Sequence, residues 1–351
     1  MEENNNLFSS RQFLNPYVIA EVGVNHDCNI DLAKLMIDQA AQGGASCVKF
    51  QAYKASTLAS KNSPYYWDIT KEKTKSQYEL FSKFDKFAKK EFTLLAEYCK
   101  DKNIDFMLTA FDEIIAESIN PLVNIHKIAS ADITNLNLLK KIASFKKPVI
   151  FSCGASTLNE IIDAKNILLE NGATKAIPLH CVLNYPTLEE NAEISFMEKL
   201  KKEFGNDIGY SDHTIPTKEH DAQILSVLLG ATVLEKHFTY DKRKPGNDHY
   251  HAFDIYDLKS FINKLKKIRV LYGKSQDASS NIKNQQKAIK NARRSLHYSK
   301  NLLKGDIIKK IDLIAKRPGD GISPMLIDSI IGQTLKKDVL EDFKVSKDDF
   351  N

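Results

Sequence analysis

The segment Ser46-Cys47-Val48-Lys49-Phe50-Gln51 is a short apolar run that a single lysine interrupts. Seven further runs of similar length lie along the chain, and stretches with the apolar spacing of amphipathic helices separate them. In order, the eight runs are Tyr17–Gly23, Ser46–Gln51, Asp105–Phe111, Ile125–Ser130, Pro148–Cys153, Ala176–Cys181, Asp207–His213 and Ala231–Phe238. Eight βα units in about 260 residues predict an α/β fold with a closed (β/α)8 TIM barrel.

An open, doubly wound sheet is the alternative architecture for alternating strands and helices. It predicts a glycine-rich GxGxxG turn after the first strand. The segment Glu21-Val22-Gly23-Val24-Asn25 lacks that pattern. The runs are also apolar nearly throughout, as strands buried on both faces should be. The closed barrel is therefore the preferred prediction.

The sequence pattern changes after Gly273, which indicates a second domain. Residues 275–290 are polar and rich in Ser, Asn and Gln, as linkers are, and short elements separated by turns follow them. We predict a barrel domain over residues 1–274, a linker over 275–290 and a small β-rich domain over 291–351. A domain of about 60 residues has a marginal core, so we expect it to pack against a barrel.

Composition argues against several classes of protein. Hydrophobic residues make up 42% of the 351 residues, and a formal net charge of +5 is too small and dispersed to predict nucleic-acid binding. No window reaches the roughly 18 apolar residues of a membrane span, and the polar N-terminus lacks the apolar core of a signal peptide. Five widely spaced cysteines without a CxxC pair favour a reducing cytoplasm over a disulfide framework.

Polar residues close every predicted strand, and in a barrel these ends converge on one mouth, where active sites lie. Lys49 and Lys127 interrupt apolar runs there, and an unpaired buried ammonium group is costly. Either an internal carboxylate pairs with each lysine, or the lysines bind an anionic ligand, and we favour the ligand. Hydroxyl donors at neighbouring strand ends could join such a site: Thr109, Ser130, Ser152 and Ser211.

Two histidines follow neighbouring strands of the predicted barrel. His213 comes after the seventh run and His237 lies at the end of the eighth. Two imidazoles with nearby oxygen ligands suit Mn²⁺, Co²⁺ or another divalent ion. The alternative is that each histidine caps a strand or binds a backbone carbonyl, and spacing alone leaves both interpretations open. We expect other barrel histidines, including His249 and His251, to be hydrogen-bonding or lining residues.

Six stretches, in order along both predicted domains, resemble those of the N-acetylneuraminate (sialic acid) synthase family, which includes legionaminic and pseudaminic acid synthases. They are Ala20–His26, Val48–Gln51, Lys127–Ser130, Gly209–Thr214, Glu235–Thr239 and Lys316–Ile322. The resemblance implies a TIM barrel followed by an antifreeze-like (SAF, β-clip) domain. It implies a transferase that converts phosphoenolpyruvate, an open-chain N-acylmannosamine and water into a 3-deoxy-nonulosonic acid and phosphate.

The resemblance also implies roles for individual residues. Those implied to hold phosphoenolpyruvate are Lys49, Thr109, Lys127, Ser130, Ser152 and Ser211. Those implied to contact the sugar are Gln51, Tyr185 and Asp248, and the carboxylate that moves a proton would be Asp248 or Asp132. A divalent metal ion, Mn²⁺ first and otherwise Mg²⁺ or Co²⁺, would be bound by His213 and His237. Arg317 would reach into the partner subunit's site and hold the N-acyl group, which implies a domain-swapped homodimer.

The sequence departs from the family pattern near the sugar end. Leu183 stands where a polar residue is common, and Asp132 stands where Glu is usual. Residues 245–252 keep the Gly-x-Asp-His core but lack the Lys-Ala-Ser-Leu that usually follows. The acceptor therefore stays open between N-acetylmannosamine, which gives N-acetylneuraminate, and a 2,4-diacetamido-6-deoxyhexose, which gives legionaminate or pseudaminate.

Two other functions match parts of the pattern. Deoxy-octulosonate and deoxy-heptulosonate synthases also condense phosphoenolpyruvate, but they lack the C-terminal domain that Lys316–Ile322 indicates. A non-catalytic sugar- or ice-binding scaffold would need a flat, weakly polar face, and the barrel lysines and histidines would have no purpose there. We therefore expect an enzyme.

Overall fold

The computed structural model describes residues 14–246, 248–273 and 278–350. The chain forms two compact units and passes from the first to the second between Tyr272 and Gly273. None of the helices in the described ranges is both long and apolar enough to cross a bilayer.

Eight parallel strands of the first unit close into a barrel, because β8 is hydrogen-bonded back to β1. The strands are β1 (Tyr17–Gly23), β2 (Cys47–Ala52), β3 (Asp105–Ala110), β4 (His126–Ile128), β5 (Pro148–Ser152), β6 (Lys175–Cys181), β7 (Gly209–Asp212) and β8 (Val233–His237). The closing pair aligns Tyr17 with Val233 and Glu21 with His237. The predicted TIM barrel is confirmed, and the open-sheet alternative is wrong.

Helices follow the strands along the chain, and local sequence signals set their ends. They are α1 (Ile30–Gly43), α2 (Ala55–Leu58), α3 (Gln77–Phe84), α4 (Lys89–Asp101), α5 (Glu113–Ile119), α6 (Leu136–Ala143), α7 (Leu158–Glu170), α8 (Phe196–Phe204), α9 (Asp221–Leu228) and α10 (Ile255–Tyr272). The Asn29 side chain caps α1 by accepting hydrogen bonds from the backbone N–H groups of Asp31 and Leu32. Gly44 ends the helix at φ 91°, a conformation that glycine adopts without strain.

Alternation of side chains along the strands builds two layers inside the barrel. The lower layer is apolar and consists of Tyr17, Ile19, Cys47, Met107, Ile125, Ile150, Ile177, Leu179 and Val233. Two residues further along a strand, the side chain of the same face is polar, as with Lys49 after Cys47 and Glu235 after Val233. The apolar layer fills the N-terminal end of the barrel, and the buried polar layer forms the floor of its mouth.

The second unit is small and β-rich, as predicted. β9 (Ser295–Tyr298) and β10 (Leu313–Lys316) form an antiparallel pair, and isolated bridges such as His297–Lys344 and Leu302–Val339 tie further segments together. Its core consists of Leu296, Tyr298, Leu302, Ile308, Leu313, Ile330, Leu335, Val339, Val345 and Phe350.

The predicted linker contains helical structure. Residues 275–277 lie outside the described residues, and α11 (Ala278–Asn284) and α12 (Gln286–Ala292) follow them. The segment's Ala, Lys and Gln residues have high helix propensity, which explains short helices in a polar stretch. The boundaries at residues 274, 275–290 and 291 stay a prediction.

A buried ion pair joins β7 to β8 on the outward-facing side of the two strands. Lys236 Nζ lies 2.6 Å from Asp212 Oδ2, and the strand register places the two residues side by side. Lys236 also donates to the Thr214 carbonyl, and Asp212 Oδ1 accepts a hydrogen bond from the Thr214 backbone N–H at 2.9 Å. Both charged side chains are almost fully buried. The pair therefore fixes the two strand ends from which the next residues enter the mouth.

We expect Lys236→Met to lower the free energy of unfolding by about 3–5 kcal/mol, because it leaves the Asp212 carboxylate buried without its counter-ion. Urea denaturation followed by circular dichroism measures the loss. The double variant Asp212→Asn/Lys236→Met should recover part of it, since neither charge then remains. Lys141→Met removes an exposed ion pair with Glu117 and should cost less than about 1 kcal/mol. Equal losses from Lys236→Met and this control would contradict the structural role.

Candidate active site

The structure brings the predicted barrel residues to the C-terminal ends of the strands. Those on the strands are Lys49, Gln51, Thr109, Lys127, Ser152, Ser211 and His237. Those in the segments that follow the strands are Ser130, Asp132, Tyr185, His213 and Asp248. Arg317 lies in the second unit, directly after β10, where its side chain is exposed.

A buried charge network lies at the floor of the mouth. Lys49 Nζ lies 2.6 Å from Glu21 Oε2 and 3.7 Å from Glu235 Oε1, and it donates a hydrogen bond to Thr109 Oγ1 at 2.9 Å. Glu21 Oε1 also accepts a hydrogen bond from Gln51 Nε2 at 2.9 Å. The network therefore joins side chains of four strands around one ammonium group.

The second lysine shares one carboxylate with the first. Lys127 Nζ lies 3.7 Å from Glu235 Oε1 and donates hydrogen bonds to Ser152 Oγ at 2.7 Å and to the Ile128 carbonyl at 3.0 Å. Ser211 Oγ donates to the same Glu235 oxygen at 3.2 Å. Glu235 consequently bridges both lysines and one of the predicted hydroxyl donors.

These carboxylates correct one premise of the sequence argument. Glu21 and Glu235 are internal partners for the lysines, so burial of Lys49 and Lys127 does not by itself require an anionic ligand. The hydroxyl groups grouped around the lysines remain the feature that suits an anion. Anion binding by these residues stays a prediction.

The surroundings shift the proton affinities of all four charged groups. Burial lowers the pKa of Lys127, while for Lys49 the attraction of Glu21 and Glu235 overcomes burial and raises the pKa. Burial raises the pKa of Glu21 despite the nearby lysine. Burial acts the same way on Glu235, but Lys127 and Lys49 outweigh it and hold its pKa below the usual value. Glu21 is therefore the carboxylate of the network that takes up a proton more readily.

Ser130 and Asp132 occupy the turn after β4. Ser130 Oγ accepts a hydrogen bond from the Gly154 backbone N–H at 2.9 Å. Asp132 Oδ2 is buried without a hydrogen-bond partner, and Asn135 Nδ2 lies 3.5 Å from the other oxygen. Burial raises the pKa of Asp132 to about 6. A carboxyl group with a pKa this close to neutrality can both donate and accept a proton.

His213 and His237 lie side by side, with ring centroids 5.3 Å apart. His213 Nδ1 lies 2.8 Å from the Val182 carbonyl, which assigns the proton to Nδ1 and leaves Nε2 as an acceptor. His237 Nδ1 has no hydrogen-bond partner and lies 3.9 Å from Asp248 Oδ2. Burial lowers the pKa of both imidazoles, to about 4 for His213, so both are neutral at pH 7.

These donors fit a divalent ion chemically. Metal ions bind the neutral form of imidazole, and the buried Nδ1 of His237 has its binding capacity unused. Within the described ranges, no three His, Cys, Asp or Glu side chains converge on one point as a metal site. Water or substrate oxygens would therefore have to complete a coordination shell built on His213 and His237.

A cavity opens above the polar floor and has an aromatic side. Its polar lining includes Gln51, Ser130, Tyr185, His237 and Asp248. Asn25, Asp27, Glu72 and His249 add further polar groups to the lining. The large apolar and aromatic side chains of the lining, which we call the apolar wall, are Tyr53, Tyr66, Trp67, Leu80, Phe81, Phe84, Phe111 and Leu183. Most of the wall, from Tyr53 to Phe84, belongs to the long connection between β2 and α4.

Sequence reasoning missed Glu21 and Glu235 as partners of the lysines, and for His251 it predicted only a hydrogen-bonding or lining role. The alternation of side chains along a strand was the signal that could have identified the two glutamates. Glu21 lies two residues after inward-facing Ile19, and Glu235 lies two residues after inward-facing Val233, so both face inward. His251 had no comparable signal, because it lies in an irregular segment after β8. Its fully buried ring lies 5.0 Å from that of His237.

Comparison with known proteins agrees with this geometry. The NeuB family model matches residues 36–277 and the SAF domain model matches residues 293–351. The chain belongs to the NeuB family. It is therefore a nonulosonic acid synthase, which confirms the predicted class of phosphoenolpyruvate-dependent condensing enzyme.

Individual relatives span nearly the whole chain. N,N'-diacetyllegionaminic acid synthase of Campylobacter jejuni is 39% identical over 333 residues, which cover 93% of this chain and 97% of that protein. Pseudaminic acid synthase of Helicobacter pylori is 31% identical over 95% of this chain and 97% of its own. The crystal structure of the sialic acid synthetase of Leptospira borgpetersenii superimposes with a TM-score of 0.67 at 34% identity, covering 78% of this chain and 92% of that one.

We expect Asp132→Asn to stabilise the fold at alkaline pH. The folded-state pKa of about 6 lies above the roughly 3.9 of an unfolded aspartate, so ionisation costs stability as the pH rises through that window. Asparagine removes this cost, and the gain in unfolding free energy should grow from near zero at pH 4 to about 1–3 kcal/mol at pH 8. Urea denaturation at both pH values measures it. Gains of equal size at the two pH values would refute the buried-carboxyl explanation.

Proposed function

We propose that this enzyme condenses phosphoenolpyruvate with a 2,4-diacetamido-2,4,6-trideoxyhexose and water, giving a legionaminic-acid-type sugar acid and phosphate. The observation that carries this choice of acceptor is the apolar wall of the cavity. In this reaction the vinyl carbon of phosphoenolpyruvate bonds to the aldehyde carbon of the open-chain sugar. Water adds to the enol carbon, and the carbon–oxygen bond to phosphate then breaks.

The charge network forms the phosphoenolpyruvate end of the proposed site. Lys49 and Lys127 would neutralise the carboxylate and the phosphate away from bulk water, where electrostatic interactions are strongest. The hydroxyl groups that would complete the binding are Thr109, Ser130, Ser152 and Ser211. Because Glu21 has a raised pKa, protonation of its carboxylate would keep the site from becoming too negative when the anion enters.

The histidines and the outer carboxylates form the proposed acceptor end. When bound at His213 and His237, a divalent ion supplies Lewis-acid polarisation of the acceptor carbonyl, with Mn²⁺ first and Mg²⁺ or Co²⁺ as the other candidates. Gln51 and Tyr185 would contact the sugar, since both line the cavity. Asp248, near His237, and Asp132, with its pKa of about 6, are the candidate proton carriers.

The apolar wall favours an acceptor with methyl groups where N-acetylmannosamine has hydroxyls. A hydroxyl buried against the leucine and phenylalanine side chains of this wall loses its hydrogen bonds to water without replacement, which costs free energy. A 6-deoxy, 4-acetamido sugar presents methyl groups instead, and Leu183 supplies an aliphatic contact where the family commonly has a polar side chain. The 39% identical relative is named for a diacetylated product of this kind.

An acceptor panel tests the proposal directly. We expect kcat/KM for the 2,4-diacetamido-6-deoxyhexose of the manno configuration to exceed that for N-acetylmannosamine by about 10- to 100-fold, as hydrophobic discrimination allows. Phosphate release gives the rates, and mass spectrometry identifies the product. Leu183→Asn should lower the ratio of the two kcat/KM values with little effect on the KM for phosphoenolpyruvate. A preference of the wild-type enzyme for N-acetylmannosamine would instead assign N-acetylneuraminate as the product.

Removing one lysine tests the phosphoenolpyruvate end of the proposed site. We expect Lys127→Ala to abolish turnover and to weaken phosphoenolpyruvate binding by about 10- to 100-fold, the range for a hydrogen bond to a charged group. Isothermal titration calorimetry measures the binding. Lys140→Ala, an exposed lysine on α6, should bind and turn over normally. Near-normal activity of Lys127→Ala would refute the anion role.

We further propose a domain-swapped homodimer in the cytoplasm. Arg317 of one protomer would reach its partner's site and hold an N-acyl group, and the exposed side chain of Arg317 in the second unit supports this. The cytoplasmic location rests on the five cysteines, all of which are free thiols.

A further inference from the structure

His251 is a buried histidine whose ring nitrogens lack close hydrogen-bond partners. Its side chain is fully buried, and neither Nδ1 nor Nε2 has a hydrogen-bond partner. Among the other buried histidines, His249 Nδ1 lies 2.7 Å from Thr239 Oγ1 and His180 Nε2 lies 2.8 Å from the Ala192 carbonyl. His26 also lacks hydrogen-bond partners, but its ring stacks on Phe87 with centroids 4.4 Å apart. Buried polar groups are normally paired, so the missing hydrogen bonds of His251 leave both nitrogens available to a ligand.

His251 lies beside the two histidines that are predicted to bind the metal ion. Its ring centroid lies 5.0 Å from that of His237 and 6.2 Å from that of His213. Its Nε2 lies 3.7 Å from Asp248 Oδ1, while the other oxygen of Asp248 faces His237 Nδ1 at 3.9 Å. We call His213, His237, His251 and Asp248 the histidine cluster.

The spacing of the three rings matches imidazoles bound to one ion. A metal–nitrogen bond of about 2.1 Å puts each ring centroid roughly 3.2 Å from the ion, so two ligand rings lie about 4.6–6.4 Å apart for bond angles from 90° to 180°. The observed centroid separations of 5.0, 5.3 and 6.2 Å all fall within these limits. As the side chains stand in the described chain, three donors do not converge on one point, so the rings must turn for all three to bind.

We propose that His251 is a third imidazole ligand of the divalent ion, beside His213 and His237. This inference rests on the ion of the proposed function and adds a residue to its site. This chain has Tyr250-His251-Ala252-Phe253 where the family pattern usually has Lys-Ala-Ser-Leu. Three imidazoles favour Co²⁺ or Zn²⁺ over Mg²⁺, which prefers oxygen ligands.

A second role for His251 needs to be separated from ligation. Through its contact with Asp248, the ring could merely hold that carboxylate in place. Loss of a residue that only holds Asp248 weakens the binding of every divalent ion to a similar extent and leaves the set of ligand atoms unchanged. Loss of a nitrogen ligand weakens Co²⁺ binding far more than Mg²⁺ binding. It also changes the visible absorption bands of bound Co²⁺, because these bands depend directly on the ligand atoms.

The test measures metal binding without substrates. The full chain is stripped with EDTA and titrated with Co²⁺ and Mg²⁺ by calorimetry, and the absorption spectrum of the Co²⁺ form is recorded. For His251→Asn we expect a Co²⁺ Kd at least tenfold higher, a Mg²⁺ Kd within about threefold of wild type and altered Co²⁺ bands. His251→Gln serves as the second variant, and thermal melting of the metal-free proteins establishes that each is folded.

Two further variants separate the possible failures. His220→Asn removes a buried barrel histidine that bonds Ser260 Oγ at 2.9 Å and should bind Co²⁺ as wild type does. His237→Asn should lose Co²⁺ binding. One outcome would refute the third ligand and leave the proposed function standing. In it, His237→Asn loses Co²⁺ binding, while His251→Asn either keeps the wild-type affinity and spectrum or weakens the binding of both ions equally. If the wild-type protein binds neither ion, the metal site of the proposed function fails with it.

Discussion

Charged side chains inside a closed barrel have to neutralise one another, because the interior offers no bulk water to solvate them. Lys49, Lys127, Glu21 and Glu235 satisfy this constraint in pairs, with one contact at 2.6 Å and Glu235 3.7 Å from both lysines. Closure of the sheet makes the arrangement feasible, because it brings β8 beside β1 and faces both glutamates toward the lysines of β2 and β4. A single missing charge would leave the others uncompensated.

This balance also determines how an anion can enter. The four groups are formally neutral together, so a substrate carrying a carboxylate and a phosphate adds negative charge that the lysines alone do not cancel. The raised pKa of Glu21 offers a solution, because a protonated Glu21 frees Lys49 for the ligand without leaving a buried carboxylate unpaired. Binding and proton uptake would then be linked through one contact.

Sequence reasoning located the strands and most of the mouth because both depend on local patterns. Apolar runs of strand length gave β1 to its residue limits, and polar residues at strand ends marked Lys49 and Lys127. Sequence reasoning did not identify Glu21 and Glu235 as partners of the lysines. Their role depends on which face of a strand they occupy and on the barrel closure that joins the first strand to the last. For His251, sequence reasoning predicted no more than a hydrogen-bonding or lining role, because an irregular segment has no period from which a side-chain direction follows. The helices α11 and α12 show the same limit, since a polar composition does not distinguish a linker from short helices.

The two ends of the cavity have different structural origins. The proposed phosphoenolpyruvate end is built on strands, whose mutual hydrogen bonds hold Lys49, Lys127 and Glu235 in fixed positions. The proposed acceptor end is built on the connections that follow the strands. The apolar wall comes largely from the segment between β2 and α4. Leu183 lies after β6, and Asp248 and His251 lie after β8. Connections can change without disturbing strand pairing. Accordingly, the departures of this chain from the family pattern at Leu183 and residues 245–252 fall where the acceptor and the ion would be bound. None of them falls on Lys49, Lys127, Glu21 or Glu235, the network that would receive phosphoenolpyruvate.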